Sequence, residues 1–339
     1  MVGSRRAAAG AAALLTAVAL LATGCSSDSS TPENVREPAV PATTAPTASP
    51  AGTVTVLGAP ARGMAVDPST HVLAVQVEGP DRLLLRSSEN PAGVARTVAL
   101  PARAAQVSLS KPGGPFLVSV PGALLRVDQR SGDVTTVTLP GTPQAALQID
   151  DQTTVVGTAE GEVLVLGADD TVTKTIAGLA DVAALSYADG TLVALDRKQT
   201  SVTQVNLDDG DLGTSLRAGQ GAVNGTTDRY GRMLVVDVEL GQLMVFTADP
   251  LLMRQRFPVA NQPYAVAYDP TTDLAWVTVT GRNQVVGYAM GGGEPVERYR
   301  LDTVAQPETV AVDSASGAVL VASASGGGLQ RVVPGGGTR

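Results

Sequence analysis

In 339 residues there is one histidine, one cysteine and one tryptophan, with three phenylalanines and six tyrosines. Each scarcity closes a route. With only His71, no site can be built from clustered imidazoles, and a histidine-dependent general base has no second candidate. With only Cys25, neither an intramolecular disulfide nor a cysteine metal cluster can form. Basic runs are missing too, and the formal net charge is −8. Such a chain repels phosphate backbones, so nucleic acid is not expected as a partner. No Gly-x-Ser-x-Gly elbow supports a serine hydrolase. The glycine-rich residues 219–225, GQGAVNG, lack the spacing of a dinucleotide loop, and no helical pattern follows them. Asp208, Asp209 and Asp211 crowd together in NLDDGDLG, but without the frame or closing Glu of a calcium-binding EF-hand they read as a solvated turn. No catalytic residue, metal ligand or soluble cofactor is therefore expected.

What is present begins at the N-terminus, with MVGSRRAAAGAAALLTAVALLATGCSS. Arg5 and Arg6 precede an apolar run over residues 7–23, then Gly24 and Cys25 follow. The order resembles a bacterial lipoprotein signal peptide of actinobacterial type, with residues 22–25 (Ala-Thr-Gly-Cys) as its lipobox. The resemblance implies cleavage before Cys25, a diacylglyceryl and acyl lipid (palmitate) on Cys25, and an anchored protein on the outer face of the cell membrane. Each buried lipid methylene contributes about 0.8 kcal/mol, so more than one acyl chain holds durably. Residues 26–51 are mostly Ser, Thr, Pro and Ala. Such a stretch buries too little surface to offset its ordering entropy, so it reads as a mobile tether reaching roughly 30 Å. The expected domains are a signal peptide at 1–24, lipidated Cys25 and tether at 25–52, a folded domain at 53–334, and a flexible C-terminus at 335–339.

The folded domain is a repeat. An apolar strand ending at a polar turn recurs about every 41 residues, marked by Asp67, Ser110, Asp150, Asp189, Asp228, Asp269 and Asp313. After each marker come a second apolar strand (HVLAVQV, PFLVSV, LAWVTV) and a third (DRLLLRS, ALLRVD, QVVGYA), then in six units a fourth (ARTVAL, VTTVTL, VERYRL). Gly, Asp, Asn or Pro fills the turns, as hairpins require. His71 falls at the turn into the second strand of the first unit, and Trp276 falls mid-strand, where it packs between units. Four short strands per unit and seven units predict an all-β, seven-bladed β-propeller. The last unit lacks a fourth strand, and residues 53–58, TVTVLG, belong to no unit. They are expected to complete the seventh blade and close the ring, leaving no open sheet edge.

The copy PYAVAYDPTTDLAWVTVTGRNQVVGYA, with the weaker GMAVDPSTHVLAVQV and TVAVDSASGAVLVAS, resembles the YVTN/NHL-like propeller families. Those families include lactonases, a lyase, quinoproteins and cell-surface binders, so the resemblance implies architecture and leaves function to the site. It also implies binding at the face that carries the fourth-to-first and second-to-third strand loops. On that face the sequence places Arg62, Arg103, Gln106, Asn224, Tyr264, Arg282, Asn283 and Glu308 as candidate ligand-binding residues, with Glu160, Asp181, Arg197 and Glu239 beside them. Their mixed charge and low aromatic content suit a protein or polar cell-envelope polymer. The expected function is a monomeric, membrane-anchored, extracytoplasmic binding or scaffold propeller. The alternative is a carboxylate-dependent, calcium-assisted lactone or sugar-acid hydrolase of the propeller lactonase type.

Overall fold

The computed structural model describes residues 1–3, 35–46 and 49–335. The lipobox and Cys25 lie outside the described residues, as do most of the expected signal peptide, residues 26–34 of the tether and the last four residues. From residue 49 the chain forms seven four-stranded antiparallel sheets, and no helix occurs among the described residues. The innermost strands are Ala61–Asp67, Gln106–Leu109, Pro143–Gln148, Val182–Ala188, Ala222–Thr227, Pro263–Asp269 and Pro307–Asp313. In six blades the remaining strands follow in simple meander order outward.

The burial of each strand follows its place in the ring. Second strands such as Phe116–Val120 and Leu274–Val279 are buried along their whole length, because a neighbouring blade covers each face. Their near-continuous Val, Leu, Ala and Phe content is what a strand covered on both sides requires. Outer strands such as Val296–Asp302 are mostly exposed. Seven apolar clusters fill the seven junctions between blades. No blade has a core of its own.

Ring closure occurs where the sequence places it, but over a shorter length. Thr53–Thr55 pairs antiparallel with Leu329–Val332, with Val54 opposite Gln330. The pairing stops after Thr55 because the chain turns inward. Leu57, 7% exposed, joins Leu73, Leu84 and Leu320 in the cluster between the seventh and first blades. The N-terminal strand thus hydrogen-bonds to one blade and packs on the next.

Candidate binding face

Two spaces open along the ring axis. The inner strands enclose a central channel of about 340 Å³, lined by small residues such as Gly63, Ala65, Gly225 and Ala267 together with Met64, Leu109 and Tyr268. At the face carrying the fourth-to-first and second-to-third loops it widens into a vestibule of about 490 Å³.

The vestibule holds three arginines, each with a carboxylate partner. Arg62 pairs with Glu308 and, through Nε, with Glu78 Oε1 at 3.0 Å. Arg103 Nε meets the same Glu78 oxygen at 3.0 Å. Arg197 Nε donates to Asp181 Oδ2 at 2.7 Å and its Nη2 to Gln144 Oε1 at 2.9 Å. The Arg103–Glu78 pair, open to water, contributes little stability, while the carboxylates of Asp181 and Glu308 are nearly buried. Arg62 and Arg197 are oriented by hydrogen bonds to Glu308 and Asp181, whereas the Glu78 Oε1 shared by Arg62 and Arg103 makes ion-pair contacts without a hydrogen bond. Burial pushes the Asp181 carboxyl above its usual range against the opposing pull of Arg197, and its Oδ1 has no hydrogen-bonding protein partner. Tyr264 is raised by burial, then by Glu308, while Arg197, Arg62 and Arg103 pull it down. A neutral phenol is therefore held beside three cations.

Of the residues expected on this face, Arg62, Arg103, Asn224, Tyr264 and Glu308 line the vestibule together. Asn224 Nδ2 donates to the Tyr264 carbonyl at 2.8 Å, tying blade five to blade six. Gln106 lines the channel below, with its Oε1 accepting from Ala146 N at 2.9 Å. Arg282 stands exposed at its turn and lines neither space. Asn283 is fully buried and faces a different occupant.

That occupant is part of the expected tether. Residues 36–45 lie along the face from blade four to blade seven. Arg36 N donates to the Lys198 carbonyl at 3.0 Å, and Ala42 N donates to Thr280 Oγ1 at 3.0 Å. Asn283 Nδ2 donates to the Ala45 carbonyl at 2.7 Å. Gln306 binds the segment twice, accepting from Thr44 N at 3.1 Å and donating to the Ala42 carbonyl at 2.8 Å. Ala39 packs on the apolar cluster between blades five and six, and Pro41 forms part of the vestibule wall. A wholly mobile tether is thus not what these residues form. Composition ruled out burial as the ordering force, and hydrogen bonds to the main chain supply it instead.

The loops beneath are shaped for this contact. Gly219 has φ +77°, and a Cβ there would lie 1.8 Å from Asp237 Oδ2. Asp237 in turn accepts from Gln220 N at 3.0 Å and Gly221 N at 2.9 Å. A Cβ on Gly221 would lie 2.9 Å from the Ala39 Cβ. The GQGAVNG stretch is therefore a loop kept low for a crossing chain.

Gln306, Thr280, Gln144 and Glu78 complete the face beyond the expected set. Gln306 had a legible signal. It and Gln262 both precede the proline that opens an inner strand, and both have positive φ, +51° and +61°.

Among the described residues no group of three or more His, Cys, Asp or Glu side chains stands placed for a metal ion. No protein-family model matches the sequence, and neither does any curated protein sequence. Solved structures do resemble it. A hydrazine synthase chain from Kuenenia stuttgartiensis aligns with TM-score 0.70 and 13% identity, over 84% of this chain and 98% of that one. A streptogramin B lyase aligns with TM-score 0.70 and 14% identity, over 82% and 96%. A chain of a mitotic checkpoint complex aligns with TM-score 0.69 and 12% identity, over 87% and 95%. Identities this low establish the propeller fold alone, and the three neighbours share no activity.

Proposed function

We propose that this protein is a lipid-anchored, extracytoplasmic binding propeller, whose vestibule face holds a protein or polar polymer of the cell envelope. The observation that carries this reading is the vestibule. Its donors are three arginines, Arg62 hydrogen-bonded to Glu308, Arg197 to Asp181, and Arg103 in an ion pair with Glu78, with Gln144, Asn224 and Tyr264 beside them. Guanidinium and amide donors at the ends of inner strands and on the adjoining turns suit recognition of carboxylate, carbonyl and hydroxyl groups on a larger ligand. The acids at the mouth are engaged as salt-bridge partners, an arrangement that favours binding over acid–base work. The lipobox at residues 22–25 supports anchoring through Cys25.

Photo-crosslinking of the full-length protein in envelope preparations, beside an Arg62→Ala/Tyr264→Ala variant, tests this. The expected result is a defined adduct that the double variant loses. An identical adduct profile from both proteins would sink the reading. So would calcium-stimulated hydrolysis of a lactone panel that the double variant loses.

A further inference from the structure

The seated segment has a regular character. Within VREPAVPATTAP, residues 35–46, exposure follows a period of three from Glu37 to Thr44: Glu37, Val40 and Thr43 are exposed, while Pro38, Ala39, Pro41, Ala42 and Thr44 are half-buried. The two ends, Val35, Arg36, Ala45 and Pro46, are exposed throughout. Three residues per turn is the period of polyproline II, which has no internal main-chain hydrogen bonds. Its amides and carbonyls stay available to a partner, and here the propeller supplies one. Thr280, Asn283 and Gln306 take the main chain of Ala42, Thr44 and Ala45, while the side chains they seat are small. Main-chain recognition of a stiff, low-entropy segment reads conformation and side-chain size rather than a particular sequence.

The receiving side chains are themselves held in place. Asn283, fully buried, accepts from Gln306 N at 3.0 Å through Oδ1, which leaves its Nδ2 aimed at the segment. Both residues have positive φ, at +50° and +51°, conformations that cost non-glycine residues energy and persist where surroundings enforce them. The receiving side chains thus stand on turns of the ring that are bonded to one another as well as to the segment.

We infer that this groove is a recognition site for proline-rich, extended peptides, and that residues 36–45 are its resident ligand in cis. Pro41 forms part of the vestibule wall, so a partner whose proline-rich segment displaces the resident one also replaces that part of the wall. The inference rests on the reading that this face binds. It adds the chemistry of the partner, a polyproline II segment with small residues at the seated positions, and a self-occupied state that the partner must outcompete.

The test uses the full-length protein and a fluorescent synthetic peptide of residues 35–46. In the parent, hydrogen exchange at the Ala42 and Thr44 amides should be slow, and the peptide should bind poorly because its groove is taken. An Ala39→Asp/Thr44→Pro variant puts a charge at the apolar seat and removes the N–H that Gln306 accepts. There the Ala42 amide should exchange freely and the peptide should bind. Adding Gln306→Ala removes two main-chain hydrogen bonds and should weaken peptide binding by about tenfold or more. A peptide that fails to bind the released variant overturns the inference, as does fast Ala42 exchange in the parent. An Ala42 amide still protected after Thr280→Ala and Gln306→Ala are added to that variant overturns it too, since something other than this groove then holds the segment. The readout follows Gln306 and not Arg62 or Tyr264, so failure here leaves envelope capture at the vestibule standing, and the reverse also holds.

Discussion

Ser88, His71 and Asp313 meet where the last blade touches the first. His71 Nδ1 lies 2.7 Å from Asp313 Oδ2, and Ser88 Oγ donates to that same oxygen at 2.6 Å. The carboxylate sits between the other two, so the order is not that of a nucleophile, base and orienter, and the contact is structural. His71 has φ +56°, matching Asp273 at +57° in the same turn of blade six. The turn was therefore legible in the repeat, whereas Asp313, 242 positions away, was not. The Asp313 hydrogen bond raises the imidazole pKa above its ordinary value near 6.5. Burial pushes the Asp313 carboxyl up, but hydrogen bonds from Ser88 and His71 outweigh it and hold the group below 3.8. The imidazolium thus contributes stability that is complete below about pH 6.5 and is lost as pH rises through the higher folded pKa. With one histidine in the chain, its proton signal is unambiguous. NMR titration should place the midpoint above 6.5, and Asp313→Asn should lower it. The melting difference between parent and His71→Gln should be larger at pH 5.5 than at pH 8.5. A midpoint that ignores Asp313→Asn would refute the coupling.

At the scale of the strand, blade six shows how so few aromatics suffice. Trp276 stands opposite Gly287, which stands opposite Tyr299 on the next strand. A Cβ on Gly287 would lie 2.9 Å from the indole ring, so the missing side chain is the space the indole occupies. Across it Trp276 stacks on Tyr299, with centroids 5.6 Å apart and planes 22° from parallel. Gly287→Ala should therefore force the indole off its rotamer and cost about 1–3 kcal/mol, the usual range for overpacking a filled core. Urea unfolding with tryptophan emission would detect it as a lowered midpoint with unchanged slope. No loss of stability would mean the indole has room to move. The strand pattern in LAWVTV and QVVGYA was legible because burial on both faces demands continuous apolar residues. The row across three strands was not, because it depends on register, and each turn sets register separately. The binding face divides in the same way. Arg62, Asn224, Tyr264 and Glu308, expected on loops, stand in the first residues of inner strands, and only Arg103 lies in a connection, yet the repeat register places all five at this face. The seat of residues 36–45, by contrast, lies in main-chain bonding that composition does not display.

For the molecule as a whole, the closed ring decides how stability is shared. An open array of repeats loses end units cheaply, because each unit contacts only its neighbours and the last has one. Here every blade has two, since Thr53–Thr55 completes blade seven and Leu57 packs against blade one. Fraying at either terminus must therefore break a strand pairing and an apolar junction together. Cooperative, all-or-none unfolding is the consequence, with Trp276 fluorescence and far-ultraviolet dichroism changing at the same urea concentration. Trp276 lies in the junction between blades six and seven, next to the closing blade, so it reports on that region first. Deleting residues 53–58 removes both the fourth strand of blade seven and Leu57, leaving an edge at Leu329–Val332 and a gap beside Leu73 and Leu84. Losing the Leu57 side chain alone is worth about 2–5 kcal/mol. The deletion should lower the midpoint and also separate the two signals, with Trp276 fluorescence changing before the dichroism. A truncated chain that keeps the parent midpoint with coincident signals would mean that the seven junctions hold the ring without its closing strand.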